Sequence, residues 1–86
     1  MNDNTVHDQS LNVLFGQRIR QIRNERHMSQ EEFAWMVGLH RPYLGQVERA
    51  EKNITLKNIE KIANALNIDP KELFNFDNLN ESLSIF

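Results

Sequence analysis

The feature of this sequence that most constrains its fold is a glycine that separates two short stretches with helical spacing. The first stretch begins at a capping box, because the Ser29 hydroxyl and the Glu32 carboxylate can each accept a hydrogen bond from the other residue's backbone amide. Gly38 ends it, since glycine readily adopts the left-handed conformation that terminates helices. The second stretch follows almost at once, with Pro42 in its first turn. This pattern predicts two short helices joined by a tight turn.

The rest of the chain also predicts helices. Apolar residues recur every three or four positions over about residues 11–26, which we expect to form the first helix. Thr55 is suited to cap a fourth helix, and Asp69 with Pro70 predicts the start of a short fifth one. No stretch alternates in polarity with strand-forming residues. We therefore expect an all-α fold, a compact five-helix domain over residues 11–76.

Length and composition exclude several classes of protein. The chain of 86 residues has room for one small domain, and without cysteine it can form neither a disulfide nor a thiolate metal site. The longest fully apolar run, residues 33–37, is far shorter than the roughly 20 residues of a membrane span. We expect no secretory signal in the polar residues 1–10, which we interpret as a flexible N-terminal arm, and a cytoplasmic location.

The distribution of charge favours a nucleic-acid partner although the net charge is −2. Residues 11–61 carry nine basic and six acidic side chains, whereas residues 62–86 carry one basic and four acidic side chains. Such segregation produces a local positive field on a protein of negative total charge. Ordinary variation in surface charge is the alternative explanation.

The two central helices, at about residues 30–37 and 41–49, have the spacing of a helix-turn-helix. Ala34 is small enough to let the two helices approach closely, and the tight turn projects the second helix outward. That geometry suits insertion into the major groove of DNA. An antiparallel pair of helices inside an ordinary bundle is the alternative, but the polar exposed side of the second helix favours DNA.

A family resemblance supports this interpretation. The pattern Q-x-x-F-A-x-x-x-G-L-x-x-x-x-L-G-x-V-E over residues 30–48, with I-x-x-I-A-x-A-L over residues 59–66, resembles the XRE family of Cro/repressor-type helix-turn-helix proteins. The resemblance covers about residues 16–69 and implies a lambda-repressor-like DNA-binding domain. The stretch H-R-P-Y-L-G-Q-V-E-R over residues 40–49 is also similar to the controller proteins of restriction–modification systems, a likeness that many plain XRE regulators share.

The resemblance implies which residues contact DNA. Members of the XRE family read bases with the residues that match Arg41, Pro42, Tyr43 and Gln46. Arginine can bind guanine through two hydrogen bonds, and glutamine can bind adenine in the same way. The expected phosphate contacts lie at the start of the second helix and on surrounding basic residues: Gln30, Arg23, His40, Arg49, Lys52 and Lys57. Each single basic residue could instead be an ordinary solvated charge.

Three further positions qualify the resemblance. We expect Glu48 to pair with a nearby arginine, Arg18 or Arg23, rather than to read cytosine. His40 stands where the family usually has a capping residue, and Ala50 where a glycine is common, so the third helix and its following turn depart from the pattern. Trp35 lies beside the core face of the second helix, either exposed or covered by a terminal segment.

These features predict a transcriptional regulator that binds a palindromic operator as a homodimer. We interpret residues 77–86 as a C-terminal tail for dimerisation, although its apolar groups could fold back onto the monomer. The expected dimer contacts are apolar residues near the C-terminus: Phe74, Phe76, Leu79, Leu83, Ile85 and Phe86.

The expected partners are double-stranded DNA, a second copy of the chain and, as a further candidate, RNA polymerase. The histidines lack metal-ligand spacing and no nucleotide-binding or nucleophile motif is present, so we expect no enzyme, cofactor or metal. An antitoxin that binds a partner protein is the alternative function.

Overall fold

The computed structural model describes residues 10–79, which form four α-helices and one 3-10 helix. The elements in chain order are α1 (Leu11–Glu25), α2 (Gln30–Val37), α3 (Arg41–Glu48), α4 (Leu56–Leu66) and the 3-10 helix (Pro70–Phe74). This part of the chain contains no strand, so the all-α prediction is confirmed. Within the same residues, no helix has the length and apolar character needed to cross a membrane.

The predicted fifth α-helix is a 3-10 helix, so the prediction of five α-helices was wrong. The Glu72 amide donates to the Asp69 carbonyl at 2.9 Å and the Asn75 amide to the Glu72 carbonyl at 3.3 Å, both three residues apart. The Asn75 side chain then accepts from the Asp77 amide at 3.0 Å. This local bond offers the backbone an alternative to a further helical turn, and short 3-10 helices are common in such connections.

The predicted helix starts are confirmed where a side chain was expected to cap them. The Glu32 amide donates to Ser29 Oγ at 3.1 Å, and the Ser29 amide donates to Glu32 Oε1 at 2.9 Å. Thr55 Oγ1 likewise accepts from the Asn58 amide at 3.1 Å. His40 makes no capping bond at the start of α3, as its departure from the family pattern suggested.

Each of the four helices is followed by a residue in the left-handed conformation, and only one of these residues is glycine. Gly38 has φ 77°, whereas the equivalent residues of α1, α3 and α4 are His27 (57°), Ala50 (61°) and Asn67 (57°). The Glu51 amide, for example, reaches back to the Gln46 carbonyl at 2.7 Å. Ala50 therefore forms the turn after α3 at a position where the family commonly has glycine.

The core lies where all the elements converge. α1 packs against α3 and the 3-10 helix, while α2 packs against α3 and α4. Its most completely buried large side chains come from every element: Ile19, Phe33, Leu44, Val47, Ile62 and Leu73.

A glycine in α1 sets the distance between α1 and α3. A Cβ atom on Gly16 would lie 2.5 Å from the Val47 carbonyl oxygen and 2.8 Å from the Glu48 carbonyl oxygen. Because real atoms do not approach so closely, a larger residue would push the two helices apart. Asn12 adds a hydrogen bond from its side-chain amide to the Ala50 carbonyl at 3.3 Å. The helical spacing of α1 gave no sign of this requirement.

The 3-10 helix and the residues that follow it are attached to α1. Arg18 Nε donates to the Glu72 carbonyl at 2.9 Å, and the buried Gln21 donates to the Asn78 carbonyl at 3.3 Å. Leu79, predicted to contact a second copy, is instead buried within the single chain. The other predicted contacts of the tail, Leu83, Ile85 and Phe86, and residues 1–9 of the arm lie outside the described residues.

Candidate nucleic-acid interface

The amino-terminal end of α3 faces solvent. Arg41 and Pro42 are exposed and Gln46 is half-exposed, whereas Leu44 and Val47 on the opposite side of the helix are buried. The fold therefore places three of the four predicted base-contacting residues on one accessible side of a short helix. No other described element covers them in the single chain.

Tyr43, the fourth predicted base contact, is partly committed to the fold. Its ring packs against the core and is half-buried, and its hydroxyl accepts a hydrogen bond from the Asn58 side-chain amide at 3.1 Å. That bond joins α3 to the start of α4. The hydroxyl can still donate its own proton, so Tyr43 keeps one polar group for a further contact.

A buried carboxylate joins the three helices behind this surface. The Glu48 side chain is 4% exposed and accepts two bonds from Arg23, with Nε–Oε2 at 2.8 Å and Nη2–Oε1 at 3.0 Å. Arg23 Nη1 also donates to the Met28 carbonyl at 3.0 Å. The prediction that Glu48 pairs with an arginine is confirmed. The same bonds engage the guanidinium of Arg23, whose side chain is 13% exposed, and its contact with phosphate stays a prediction.

Gln30 joins the same buried group at the start of α2. Its Nε2 donates to Glu48 Oε1 at 3.0 Å, which leaves the second N–H of the amide for another acceptor. The first residue of a helix also lies beside unpaired backbone amides that attract anions. Gln30 is thus held at the first turn of α2, and its contact with phosphate stays a prediction.

Gly45 leaves space for two polar side chains over α3. A Cβ atom on Gly45 would lie 3.1 Å from Arg49 Nη1 and 3.5 Å from Gln30 Oε1. The glycine thus accommodates the side chains of two predicted phosphate contacts, and no local spacing in α3 identifies these neighbours.

Arg49, at the end of α3, is paired on the surface. Its Nε and Nη2 donate to the two carboxylate oxygens of Glu51 at 2.9 and 3.1 Å, and both side chains are more than half exposed. The hydrogen bonds and the charge of Glu51 raise the pKa of Arg49. The same hydrogen bonds hold the pKa of Glu51 below its usual range. Both groups are therefore charged at neutral pH.

The remaining predicted phosphate contacts, His40, Lys52 and Lys57, are exposed near the two ends of α3 and at the start of α4. Within residues 10–79 neither lysine forms an ion pair, since the pairs found there involve Arg18, Arg23 and Arg49. In the same residues no group of three or more histidine, aspartate or glutamate side chains could hold a metal ion. The surface around α3 is therefore one of polar and cationic side chains.

Known proteins share this arrangement. The helix-turn-helix family HTH_3 matches residues 19–73. Control protein C.BamHI of Bacillus amyloliquefaciens is 47% identical over 68 residues, which are 78% of this chain and 84% of that protein. Control protein C.SmaI of Serratia marcescens is 42% identical over 60 residues, 70% of this chain and 71% of that protein.

Solved structures agree with the sequence comparison. The restriction–modification controller protein C.AhdI of Aeromonas hydrophila superposes with a TM-score of 0.69 at 51% identity, covering 73% of this chain and 96% of that one. The hypothetical transcription factor NHTF from Neisseria superposes with a TM-score of 0.73 at 37% identity, covering 91% and 87%. The chain therefore belongs to the HTH_3 helix-turn-helix family, of XRE type, and is a DNA-binding transcription regulator.

Proposed function

We propose that this protein is a restriction–modification controller that binds a palindromic operator as a homodimer in the cytoplasm. The observation that supports it is the exposed amino-terminal end of α3, with Arg41, Pro42 and Gln46 on one accessible side. Two copies related by a twofold axis would present these ends to major grooves about 34 Å apart. The domain of residues 11–76 would carry the DNA contacts.

Each side chain on this end of α3 has a distinct chemical role. Arg41 can donate two hydrogen bonds to O6 and N7 of guanine, and Gln46 can bind adenine through its amide. Pro42 has no side-chain donor and can make only an apolar contact, for example with a thymine methyl group. Tyr43 would reach the DNA with its hydroxyl already bonded to Asn58.

Phosphate contacts would fix the position of α3 in the groove. The side chains of Gln30, at the start of α2, and Arg49, after the end of α3, both lie close to Gly45. His40, Lys52 and Lys57 extend this surface. Such contacts position a protein without reading sequence, so they would support binding to any duplex.

The controller function rests on the names of the similar proteins. C.BamHI, C.SmaI and C.AhdI are each described as a control or controller protein, and these matches cover at least 70% of this chain. Those descriptions favour a controller over the antitoxin that the sequence left as an alternative. A contact with RNA polymerase belongs to the same proposal, because a transcription regulator acts beside that enzyme.

An exposed apolar patch supports the homodimer. Leu56 is 83%, Leu11 59% and Phe74 37% exposed, and together they line a groove with Phe15, Ile54 and Ile59. The Phe74 ring lies 5.2 Å from that of Phe15 and 6.4 Å from that of Phe76. Patches of this kind mark interaction sites on small proteins. We propose that a second copy covers this patch, with the apolar residues of the tail adding to the contact.

The DNA contact is tested by comparing two single substitutions on duplexes selected from a random pool. Arg41→Ala should cost about 1–3 kcal/mol on the selected operator and relax the preference at one base pair of each half-site. Lys71→Ala removes a positive charge from the 3-10 helix, away from α3, and should leave that preference unchanged. Equal weakening of Arg41→Ala on all sequences would show that Arg41 contacts phosphate and does not read a base.

The dimer is tested by sedimentation of the full chain across a dilution series. Leu56→Glu places a charge in the proposed interface, and a carboxylate in the first turn of α4 is compatible with the helix. It should shift the protein to monomers, whereas Asn64→Glu, on the exposed side of the same helix, should not. Unchanged dimers in Leu56→Glu would place the interface elsewhere.

A further inference from the structure

The start of α4 carries a side chain that reaches the helix proposed to enter the groove of DNA. Asn58 Nδ2 donates a hydrogen bond to the Tyr43 hydroxyl at 3.1 Å, across 15 positions of the sequence. Both residues are half-buried. Because α3 packs mainly against α1 and α2, and α4 against α2 and the 3-10 helix, this bond links two helices with different principal neighbours.

The backbone of Asn58 is fixed by its own helix. Its amide donates to Thr55 Oγ1 at 3.1 Å, which is the cap of α4, and the next residue, Ile59, is buried in the core. Neither contact involves the side chain of Asn58. The side-chain amide is therefore not needed to form the helix, and its bond to Tyr43 calls for a different explanation.

The hydroxyl of Tyr43 is not needed for packing. The ring packs against the core, and a phenylalanine ring would make the same apolar contacts without a polar partner. The consequence of the Asn58–Tyr43 bond therefore lies in what it does to the hydroxyl. That hydroxyl belongs to one of the residues expected to contact DNA.

The bond from Asn58 decides which kind of group the Tyr43 hydroxyl can bind next. A phenolic hydroxyl can both accept and donate a hydrogen bond. Since Asn58 supplies a donor on one side, the proton of the hydroxyl is directed away from the amide and toward an acceptor. Duplex DNA offers such acceptors as thymine O4, guanine O6, purine N7 and the phosphate oxygens, whereas the amino groups of cytosine and adenine are donors and would not match.

We infer that Asn58 is a positioning residue for DNA recognition, which orients the Tyr43 hydroxyl so that its proton is presented to a hydrogen-bond acceptor of the duplex. This role rests on the proposed contact of Tyr43 with DNA. Asn58 acts through Tyr43 and not by a contact of its own. Orientation before binding also reduces the side-chain freedom that is lost when a complex forms. A determinant of recognition thus lies on α4, outside the helix-turn-helix pair of α2 and α3.

A double-substitution cycle in the full chain separates this role from a direct contact with DNA. Tyr43→Phe should weaken binding to the selected operator about fivefold or more, because each half-site loses a hydrogen bond. Asn58→Ala should weaken it by a similar factor, but by less than about twofold in the Tyr43→Phe background. Fluorescence anisotropy of a labelled duplex measures all four proteins.

The outcomes of the cycle distinguish the role of Asn58 from the proposed function. An equal loss from Asn58→Ala in both backgrounds would mean that Asn58 contacts DNA itself, and no loss in either would mean that it has no part in binding. Both results would overturn the inference and leave the contact of Tyr43 intact. If Tyr43→Phe binds the operator as the unsubstituted protein does, the proposed contact of Tyr43 and the role of Asn58 are both overturned.

A matched substitution and a selection experiment exclude a purely structural role. Asn64→Ala makes the same change on the exposed side of the same helix and should alter operator affinity less than about twofold. In selection from a random pool, Asn58→Ala should change base preference only at positions where Tyr43→Phe changes it. A loss of preference at other positions would show that α3 itself had moved, and would overturn the inference.

Asn58→Asp tests the direction of the hydrogen bond with a side chain of nearly the same shape. A carboxylate can only accept, so the Tyr43 hydroxyl would donate to it and have no proton left for DNA. Tyr43→Phe should then weaken binding less than about twofold in the Asn58→Asp background. The added negative charge is common to both proteins of this comparison and cancels. An undiminished loss would overturn the inference, because the direction of the bond would not govern the contact with DNA.

The same proteins on random duplexes distinguish the two kinds of acceptor. A base acceptor predicts that the coupling between Tyr43 and Asn58 appears on the operator alone, whereas a phosphate oxygen predicts equal coupling on every duplex. Either result supports a hydroxyl positioned by Asn58. Additive losses on every duplex would overturn it.

Discussion

Two arginine–carboxylate pairs lie at the carboxyl end of α3 and differ in one respect, their exposure to solvent. Arg23 and Glu48 are 13% and 4% exposed, whereas Arg49 and Glu51 are 57% and 54% exposed. In each pair the guanidinium makes two hydrogen bonds of 2.8 to 3.1 Å to the carboxylate. The hydrogen-bond geometry is thus almost the same, and the surroundings decide what each pair does.

The buried pair stabilises the packing of the helices, whereas the exposed pair lies on the surface and contributes little to stability. Glu48 connects α1 through Arg23 and α2 through Gln30, so it fixes three helices relative to one another. A buried charge that loses its partner is costly, whereas exposed ion pairs contribute little because water competes for both groups. Glu48 and the residue that follows it, Arg49, therefore differ in role, since Glu48 belongs to the buried pair and Arg49 to the exposed pair.

The largest expected effect comes from removing the buried carboxylate. Glu48→Ala leaves the guanidinium of Arg23 buried without its anion and removes the acceptor of Gln30. We expect a loss of about 3–5 kcal/mol in the free energy of unfolding, measured by urea denaturation at pH 7. Glu48→Gln keeps an acceptor and should lose less. The matched control, Glu51→Ala, should leave the urea midpoint nearly unchanged. Comparable losses in the two alanine variants would mean that the buried and the exposed pair contribute equally to stability, contrary to this expectation.

Sequence reasoning succeeded where a local pattern carries its own physical cause. The capping box at Ser29, the cap at Thr55 and the left-handed Gly38 could all be predicted because each depends on residues within one turn. The pairing of Glu48 with an arginine was also predicted, because the family resemblance gives that position a structural role. The outward position of α3 was predicted from the tight turn that precedes it.

The features that were missed depend on contacts between distant segments. Gly16 is needed because the Val47 carbonyl lies against it, and no spacing within α1 records that neighbour. That Glu48 pairs with Arg23 rather than with Arg18 depends on how α1 packs against α3, which the sequence does not record. The predicted fifth helix failed for the opposite reason. Its cap at Asp69 is present, but a competing local bond at Asn75 limits the segment to a 3-10 helix.

A smaller effect should come from the turn residue between the two members of the exposed ion pair. Ala50 separates Arg49 from Glu51 and has φ 61°, which an alanine adopts at a cost and a glycine does not. Ala50→Gly should therefore increase the free energy of unfolding by about 0.5–1 kcal/mol, measured by urea denaturation. Ala65→Gly, in the exposed part of α4, is the opposite control and should lower it by about 0.5–1 kcal/mol. A loss of stability in Ala50→Gly would show that the alanine side chain makes contacts that outweigh the backbone cost.

The smallest effect concerns the exposed pair and should appear in DNA binding. Arg49 holds the pKa of Glu51 below its usual range, so the carboxylate contributes stability above its unfolded pKa and loses it only as the pH falls through the lowered value. At pH 7 Glu51 is therefore charged and, in the proposed phosphate contact of Arg49, would compete with DNA phosphate for the guanidinium. Glu51→Gln should remove that competition and tighten binding by about two- to fivefold, equally on operator and random duplexes.

Fluorescence anisotropy of labelled duplexes at two salt concentrations would measure this effect. The gain from Glu51→Gln should shrink at high salt, because salt weakens phosphate contacts and screens exposed charges. Glu60→Gln removes one negative charge from α4, where no predicted phosphate contact is paired with it, and is the matched control. An equal gain in both variants would mean that only net charge had changed. A gain confined to Glu51→Gln would show that Glu51 and DNA phosphate compete for Arg49. The exposed pair would then be exchangeable for a phosphate contact, whereas the buried pair of the preceding residue, Glu48, holds the helices together.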